Sequence, residues 1–135
     1  MAWWKAETAA DESAPHILVV EDEPLIRMTI SEALRELSAC VIEAATADEA
    51  WDYLMSGGRA DLVFTDHRMP GSMTGAQLAR RVRERFPALR VILTSAFMDD
   101  EDWRDHFVPK PYDLFEVADD LVKIAAAERV REAGR

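Results

Sequence analysis

Ile17-Leu18-Val19-Val20 is an unbroken run of apolar residues, and three more short runs follow it: Cys40-Val41-Ile42, Leu62-Val63-Phe64 and Val91-Ile92-Leu93. A strand with one face in water alternates apolar and polar residues. A run without alternation is apolar on both faces, which a strand needs when helices cover both sides of its sheet. Between the runs the apolar spacing changes to that of a helix. Pro24 suits a first helical turn, and Leu25, Ile26, Ile30, Ala33, Leu34 and Leu37 follow at helical intervals. Thr46 and Glu49 have the spacing of a capping box and open a second helix with Ala50, Trp51 and Leu54, which Gly57-Gly58 stops. After a loop containing Pro70, Gly71 and Gly75, a third helix carries Ala76, Leu78, Ala79 and Val82 and ends before Pro87. A small last strand falls around Phe107-Val108. A final helix runs from about Asp113 into the Arg129–Arg131 region with Leu114, Val117, Leu121, Ile124 and Ala125 on its apolar face.

Strand and helix alternate throughout, so the chain is expected to be an α/β domain with a doubly wound, five-stranded parallel sheet in the order 2-1-3-4-5. Its 135 residues suit one domain. The expected division is a flexible lead-in over 1–14, a body over 15–128, and the end of the last helix with a tail over 129–135. No apolar run approaches the roughly 18–20 residues of a membrane-spanning helix, and no signal peptide is evident. The lone Cys40 reads as a small buried apolar residue in a reducing cytoplasm. The formal charge of −10 opposes binding to nucleic acid or anionic lipid, and no basic arm overrides it.

In such sheets the functional crevice lies beyond the carboxyl ends of the central strands. Strand one ends in Glu21-Asp22, strand three in Asp66, strand four in Thr94-Ser95 and strand five in Lys110. Carboxylates held together repel, by about 4 kcal/mol for two unit charges 4 Å apart at an effective dielectric near 20. A hard divalent cation relieves that repulsion, and a small oxygen-only site suits Mg²⁺. Metal, free carboxylate, hydroxyl and lysine together are equipped for phosphoryl transfer. The alternative for any single acid is that it merely ends a strand at a solvated loop. Of the histidines, His16 precedes the first strand, His67 is expected to point to solvent from its loop, and His106 lies near the last strand. Their spacing suits no transition-metal site.

Four segments carry a family resemblance: ILVVEDEP (Ile17–Pro24), LVFTDHRMPG (Leu62–Gly71), VILTSAF (Val91–Phe97) and PKP (Pro109–Pro111). In this order and spacing they resemble the receiver domain of bacterial two-component response regulators. The resemblance implies that Asp66 is the phosphoacceptor, with Mg²⁺ held by Asp22, Asp66, Glu21 (largely through water) and the backbone carbonyl of Arg68. It makes Lys110 the phosphoryl contact, Lys110-Pro111 a cis peptide, Ser95 the switch hydroxyl with Thr94 as competitor, and Phe107 the aromatic switch position or plain core. The partners it implies are a histidine kinase or histidine phosphotransfer protein upstream and a protein target downstream, in a cytoplasmic monomer or weak dimer. It implies no enzyme activity beyond the domain's own phosphorylation and dephosphorylation.

Two features depart from the usual pattern. Glu21 stands where aspartate is commoner, and only 15 positions separate Ser95 from Lys110. A crossover that short, with Asp99, Asp100, Glu101, Asp102 and Asp105 repelling one another, predicts a stunted or mobile helix between the last two strands. In this the chain is similar to the single-domain receivers of alphaproteobacteria with a shortened fourth helix, though their Phe-Ala-Thr-Gly-Tyr run is here Leu93-Thr94-Ser95-Ala96-Phe97. The competing functions are a receiver-like binding module that works without phosphate, and a metal-dependent phosphatase. Against the phosphatase, His67-Arg68 follows Asp66 where a second acid two positions on would serve as general acid.

Overall fold

The computed structural model describes residues 13–96 and 107–133. Residues 1–12 of the lead-in, the acidic crossover with its expected stunted helix, and His106 lie outside the described residues. Five strands form one parallel sheet: β1 (His16–Val20), β2 (Cys40–Ala44), β3 (Leu62–Asp66), β4 (Arg90–Ser95) and β5 (Phe107–Pro109), in the order β2-β1-β3-β4-β5. Four helices complete the described structure: α1 (Pro24–Glu36), α2 (Ala47–Met55), α3 (Gly75–Arg85) and α4 (Leu114–Ala133). Among the described residues no helix is long and apolar enough to cross a membrane.

The unbroken apolar runs do what their pattern requires. Within β1, Leu18 and Val20 join a core layer with α2 and α3, while Ile17 and Val19 join a second layer with α1 and α4. β3 divides the same way, Val63 to the first layer and Leu62 and Phe64 to the second. Each large apolar side chain so buried contributes roughly 1.5–3 kcal/mol. Cys40 is buried at the start of β2, as its apolar setting suggested.

Helix ends are fixed by short-range chemistry. Pro24 begins α1. At α2 the Thr46 side chain accepts the Glu49 amide, but Glu49 Oε2 accepts from the Ala45 amide, one residue before the cap. The expected capping box is therefore half-formed there. A reciprocal one starts α3, between Thr74 and Gln77. After α2 the amides of Gly57 and Gly58 donate to the carbonyls of Leu54 and Tyr53, with Gly57 at φ 87°. This is the paired closure in which glycine favours the left-handed residue. α1 ends by the same pair of bonds, from Ser38 to Arg35 and from Ala39 to Leu34. There the left-handed position is occupied by Ser38, at φ 68°.

His16 does not precede the first strand but opens it, and it is buried. Its amide donates to Asp61 Oδ2 at 2.7 Å, its carbonyl accepts the Asp61 amide at 2.7 Å, and its Nδ1 lies 2.8 Å from the Ala14 carbonyl. Arg129 Nη1 is 4.0 Å from the same Asp61 oxygen, which ties α4 to the foot of the sheet.

The left-handed serine gives a direct test of the α1 closure. Ser38→Gly is expected to stabilise the fold by about 0.5–1 kcal/mol, because relief of the Cβ clash outweighs the added freedom of the unfolded chain. Urea unfolding would show a raised midpoint with unchanged slope.

Candidate functional site

Parallel strands bring all their carboxyl ends to one edge, and the ladder continues one residue past three of them. Glu21 donates its amide to Ala44, His67 to Thr94 and Lys110 to Ser95, at 3.0, 3.0 and 2.9 Å. The backbone just beyond β1, β3 and β5 is thus held as firmly as the strands. Arg27 Nη1 adds a bond to the Glu21 carbonyl at 2.8 Å, linking the first turns of α1 to the same point.

On this edge Lys110 Nζ lies 2.9 Å from Glu21 Oε1 and 3.3 Å from Asp66 Oδ2. The carboxylates of Glu21, Asp22 and Asp66 bring one oxygen each to within 4.8 Å of one another, close enough to hold a metal ion between them. Glu21 and Asp66 are buried and Asp22 is half-buried. Three carboxylates face one ammonium, so the cluster keeps an excess of negative charge that water only partly screens. Burial pushes the Glu21 carboxyl up to about 7, with the Asp66 charge and the neighbouring acids adding to the rise and Lys110 opposing it. For Lys110, burial works to lower the pKa, but the bonds and charges of Glu21 and Asp66 prevail and raise it above the usual lysine value. A donor set of hard oxygens with unspent negative charge fits a hard divalent cation.

The other expected site residues occupy the same edge. Arg68 follows β3 in the loop to α3, with its side chain exposed. Lys110-Pro111 is cis. Ser95 is the buried last residue of β4 and pairs laterally with Pro109. Thr94, also buried, pairs with Asp66 itself, and its hydroxyl has no hydrogen-bond partner among the described residues. Phe107 begins β5 half-buried and packs against the core layer shared with α2 and α3.

His67 is not the solvent-pointing residue expected. It is half-buried, its Nδ1 accepts the Ala76 amide at 3.3 Å, and its carbonyl accepts the Gly75 amide at 2.8 Å. The imidazole thus satisfies a free amide at the start of α3. Two further residues support the loop after Asp66. Asp48, in the first turn of α2, accepts the Ser72 hydroxyl at 2.6 Å and the Ser72 amide at 3.3 Å. Gly75 lies against the Asp66 backbone so closely that a Cβ there would collide with the Asp66 carbonyl. The Thr74/Gln77 spacing was a visible signal for this loop's end, whereas nothing in the sequence connects Asp48 with Ser72.

These contacts generate two expectations. Gly75→Ala has to displace Asp66 or α3, and should destabilise the fold by about 1–3 kcal/mol while weakening divalent-ion binding, measurable by urea unfolding and ion titration. The second concerns pH. Glu21 is more basic folded than unfolded, so its contribution is full below pH 4.5 and is lost as pH rises through about 7. Metal-free protein should lose stability between pH 5 and 8, and Glu21→Gln should flatten that slope in urea unfolding in the presence of chelator.

The family model of the response regulator receiver domain matches residues 17–121. The sensor kinase CckA of Brucella abortus is 35% identical over 123 residues, covering 84% of this chain and 13% of that protein. The DNA-binding transcriptional regulator NtrC of Azospirillum brasilense is 33% identical over 112 residues, covering 78% of this chain and 23% of its own length. The chain therefore spans less than a quarter of either relative. Among solved structures, the response regulator TrrA of Thermotoga maritima, in complex with Mg²⁺-BeF, superposes with a TM-score of 0.71 at 32% identity, covering 81% of this chain and 97% of that one. The receiver domain of the hybrid histidine kinase CckA gives 0.68 at 29% identity, covering 82% and 98%. The matched region holds the five strands, save His16 at the start of β1, and the whole acidic edge, and the chain belongs to the response regulator receiver family of two-component systems.

Proposed function

We propose that this domain is a phosphorylation-operated switch that takes a phosphoryl group onto Asp66 from a histidine kinase or a histidine phosphotransfer protein. The observation that carries the reading is Lys110 Nζ held within hydrogen-bonding distance of both Glu21 and Asp66, beside a third carboxylate, Asp22. An Asp66 oxygen attacks phosphorus, the bond from phosphorus to the donor nitrogen breaks, and the imidazole leaves with a proton. Lys110 neutralises a phosphoryl oxygen, and Ser95 at the end of β4 supplies a hydroxyl hydrogen bond. Glu21, Asp22, Asp66 and the Arg68 carbonyl would hold Mg²⁺, which supplies charge neutralisation for the transferring group.

Phosphorylation adds roughly −1.5 to −2 charges to an edge that already has an excess of them. Lys110 cannot serve Glu21, Asp66 and the new group equally, so the arrangement around β4 and β5 must change. Rotation of Ser95 and Phe107 towards the phosphoryl group is the proposed response, carrying the change to the surface of β4, β5 and α4. The signal then leaves by protein contact, or the domain acts as a phosphate sink. Leu25 and Met28 in the first turns of α1 and Phe115 at the start of α4 are exposed and suit an apolar docking contact with the donor.

Intact mass after incubation with Mg²⁺ and acetyl phosphate tests this reading. The wild type should gain one phosphoryl group, while Asp66→Asn and chelator-treated wild type should gain none. Lys110→Ala should slow the gain on the order of tenfold or more. Equal phosphorylation of Asp66→Asn would refute the assignment.

A further inference from the structure

Eight of the chain's 16 basic side chains lie on or beside one helix, away from the acidic crevice. α3 presents Arg80, Arg81, Arg83 and Arg85 on its exposed face, with Glu84 as the single acid among them. Two of the four are braced by aromatic rings. The Arg81 guanidinium lies 5.7 Å from the centroid of Trp51, and that of Arg85 lies 5.0 Å from the centroid of Phe86. The two rings meet edge to face at 6.1 Å. Such stacking reduces the rotamer entropy an arginine loses when it binds.

At the foot of α3, at the amino end of the sheet, the basic surface continues around two adjoining grooves. The larger, of about 650 Å³, has Leu54, Phe86, Pro87 and Leu89 along its apolar wall and Arg59, Arg129 and Arg131 at its rim. The smaller, of about 240 Å³, shares Pro87, Ala88 and Leu89 and adds Arg83 and Arg90. Arg90 has a buried Nε with no hydrogen-bond partner among the described residues. Five arginines and two acids line the two grooves, a local surplus of positive charge. Asp61 accepts the His16 amide, and Glu128 lies 3.3 Å from Arg131.

We propose that this surface docks an acidic peptide segment of a partner protein, its carboxylates on the arginines of α3 and the groove rim, its apolar side chains in the groove. Arginine forks match carboxylates two bonds at a time. The continuous, open trough suits an extended chain, and its apolar wall gives alternate side chains somewhere to go. A nucleic-acid duplex is the other polyanion to consider. It would extend well beyond the patch and meet a chain of net charge −10, which repels it at longer range. A short acidic segment feels mainly the local field, because charges are screened beyond about 8–10 Å. The proposal uses no phosphoacceptor residue and stands apart from the chemistry at Asp66.

The test is fluorescence anisotropy with a fluorescein-labelled peptide of four Glu-Glu-Leu repeats, at low and high salt. Saturable binding is expected, weakening with salt, at least tenfold weaker in Arg83→Ala/Arg131→Ala, and within twofold of wild type in Lys123→Ala. Circular dichroism checks that the double variant folds. If it does not, amide shifts of the wild type on peptide addition decide, with changes expected at Gly57–Asp61 and Phe86–Arg90. Binding undiminished in a folded double variant, absence of saturable binding at low salt, or shifts confined to the Asp66 edge would each overturn the proposal. Tighter binding of a duplex oligonucleotide than of the peptide would also overturn it, assigning the surface to nucleic acid.

Discussion

One ammonium group set among three carboxylates is the constraint on which the rest of this structure depends. Lys110 reaches Glu21 and Asp66 at 2.9 and 3.3 Å, yet Glu21, Asp22 and Asp66 together outnumber it. A cluster left so unbalanced persists only if the backbone holds it, since each side chain would gain by moving into water. The ladder bonds made by the amides of Glu21, His67 and Lys110 are that hold. They are available only because the five strands run parallel and end together, which follows from unbroken apolar runs that have to be covered on both faces.

This dependence explains which features were legible in the sequence. Strand identity, sheet order and the convergence of Glu21, Asp22, Asp66 and Lys110 followed from apolar runs and from what ends them, because burial on two faces leaves few alternatives. Strand starts are less legible. The expected end of strand four at Thr94-Ser95 matches β4, but β4 starts at Arg90, one residue before the apolar run that opens at Val91. The same holds for His16, drawn into β1 by exchanging two bonds with Asp61, 45 positions away.

The residues that support the site rather than form it were the hardest to read. A histidine after Asp66 looks like an ordinary loop residue until α3 places the Ala76 amide against its ring. Asp48 reads as a helix-start acid, which it also is, and only the folded chain brings Ser72 to it across 24 positions. Periodicity reports on burial, and these contacts are polar, partly exposed and non-local. By contrast, the Thr74/Gln77 box is local and was visible in principle. The Thr46/Glu49 pair shows the limit of such spacing, because Glu49 found the Ala45 amide instead of the Thr46 amide.

Net charge is the bulk property that misleads most here. A sum of −10 describes no part of the surface. The acids at the carboxyl edge are held by the sheet, while the guanidinium groups of Arg80, Arg81, Arg83 and Arg85 lie along α3. With a screening length of about 8 Å at physiological salt, regions further apart than that act as separate electrostatic objects. A partner approaching the crevice meets negative charge, and one approaching α3 meets positive charge. α3 spans the two, its first residue against the Asp66 backbone and its last turn at the basic grooves. The helix that packs against the Asp66 backbone therefore also carries the surface of opposite sign, and a displacement of Asp66 large enough to move Gly75 would be felt at both.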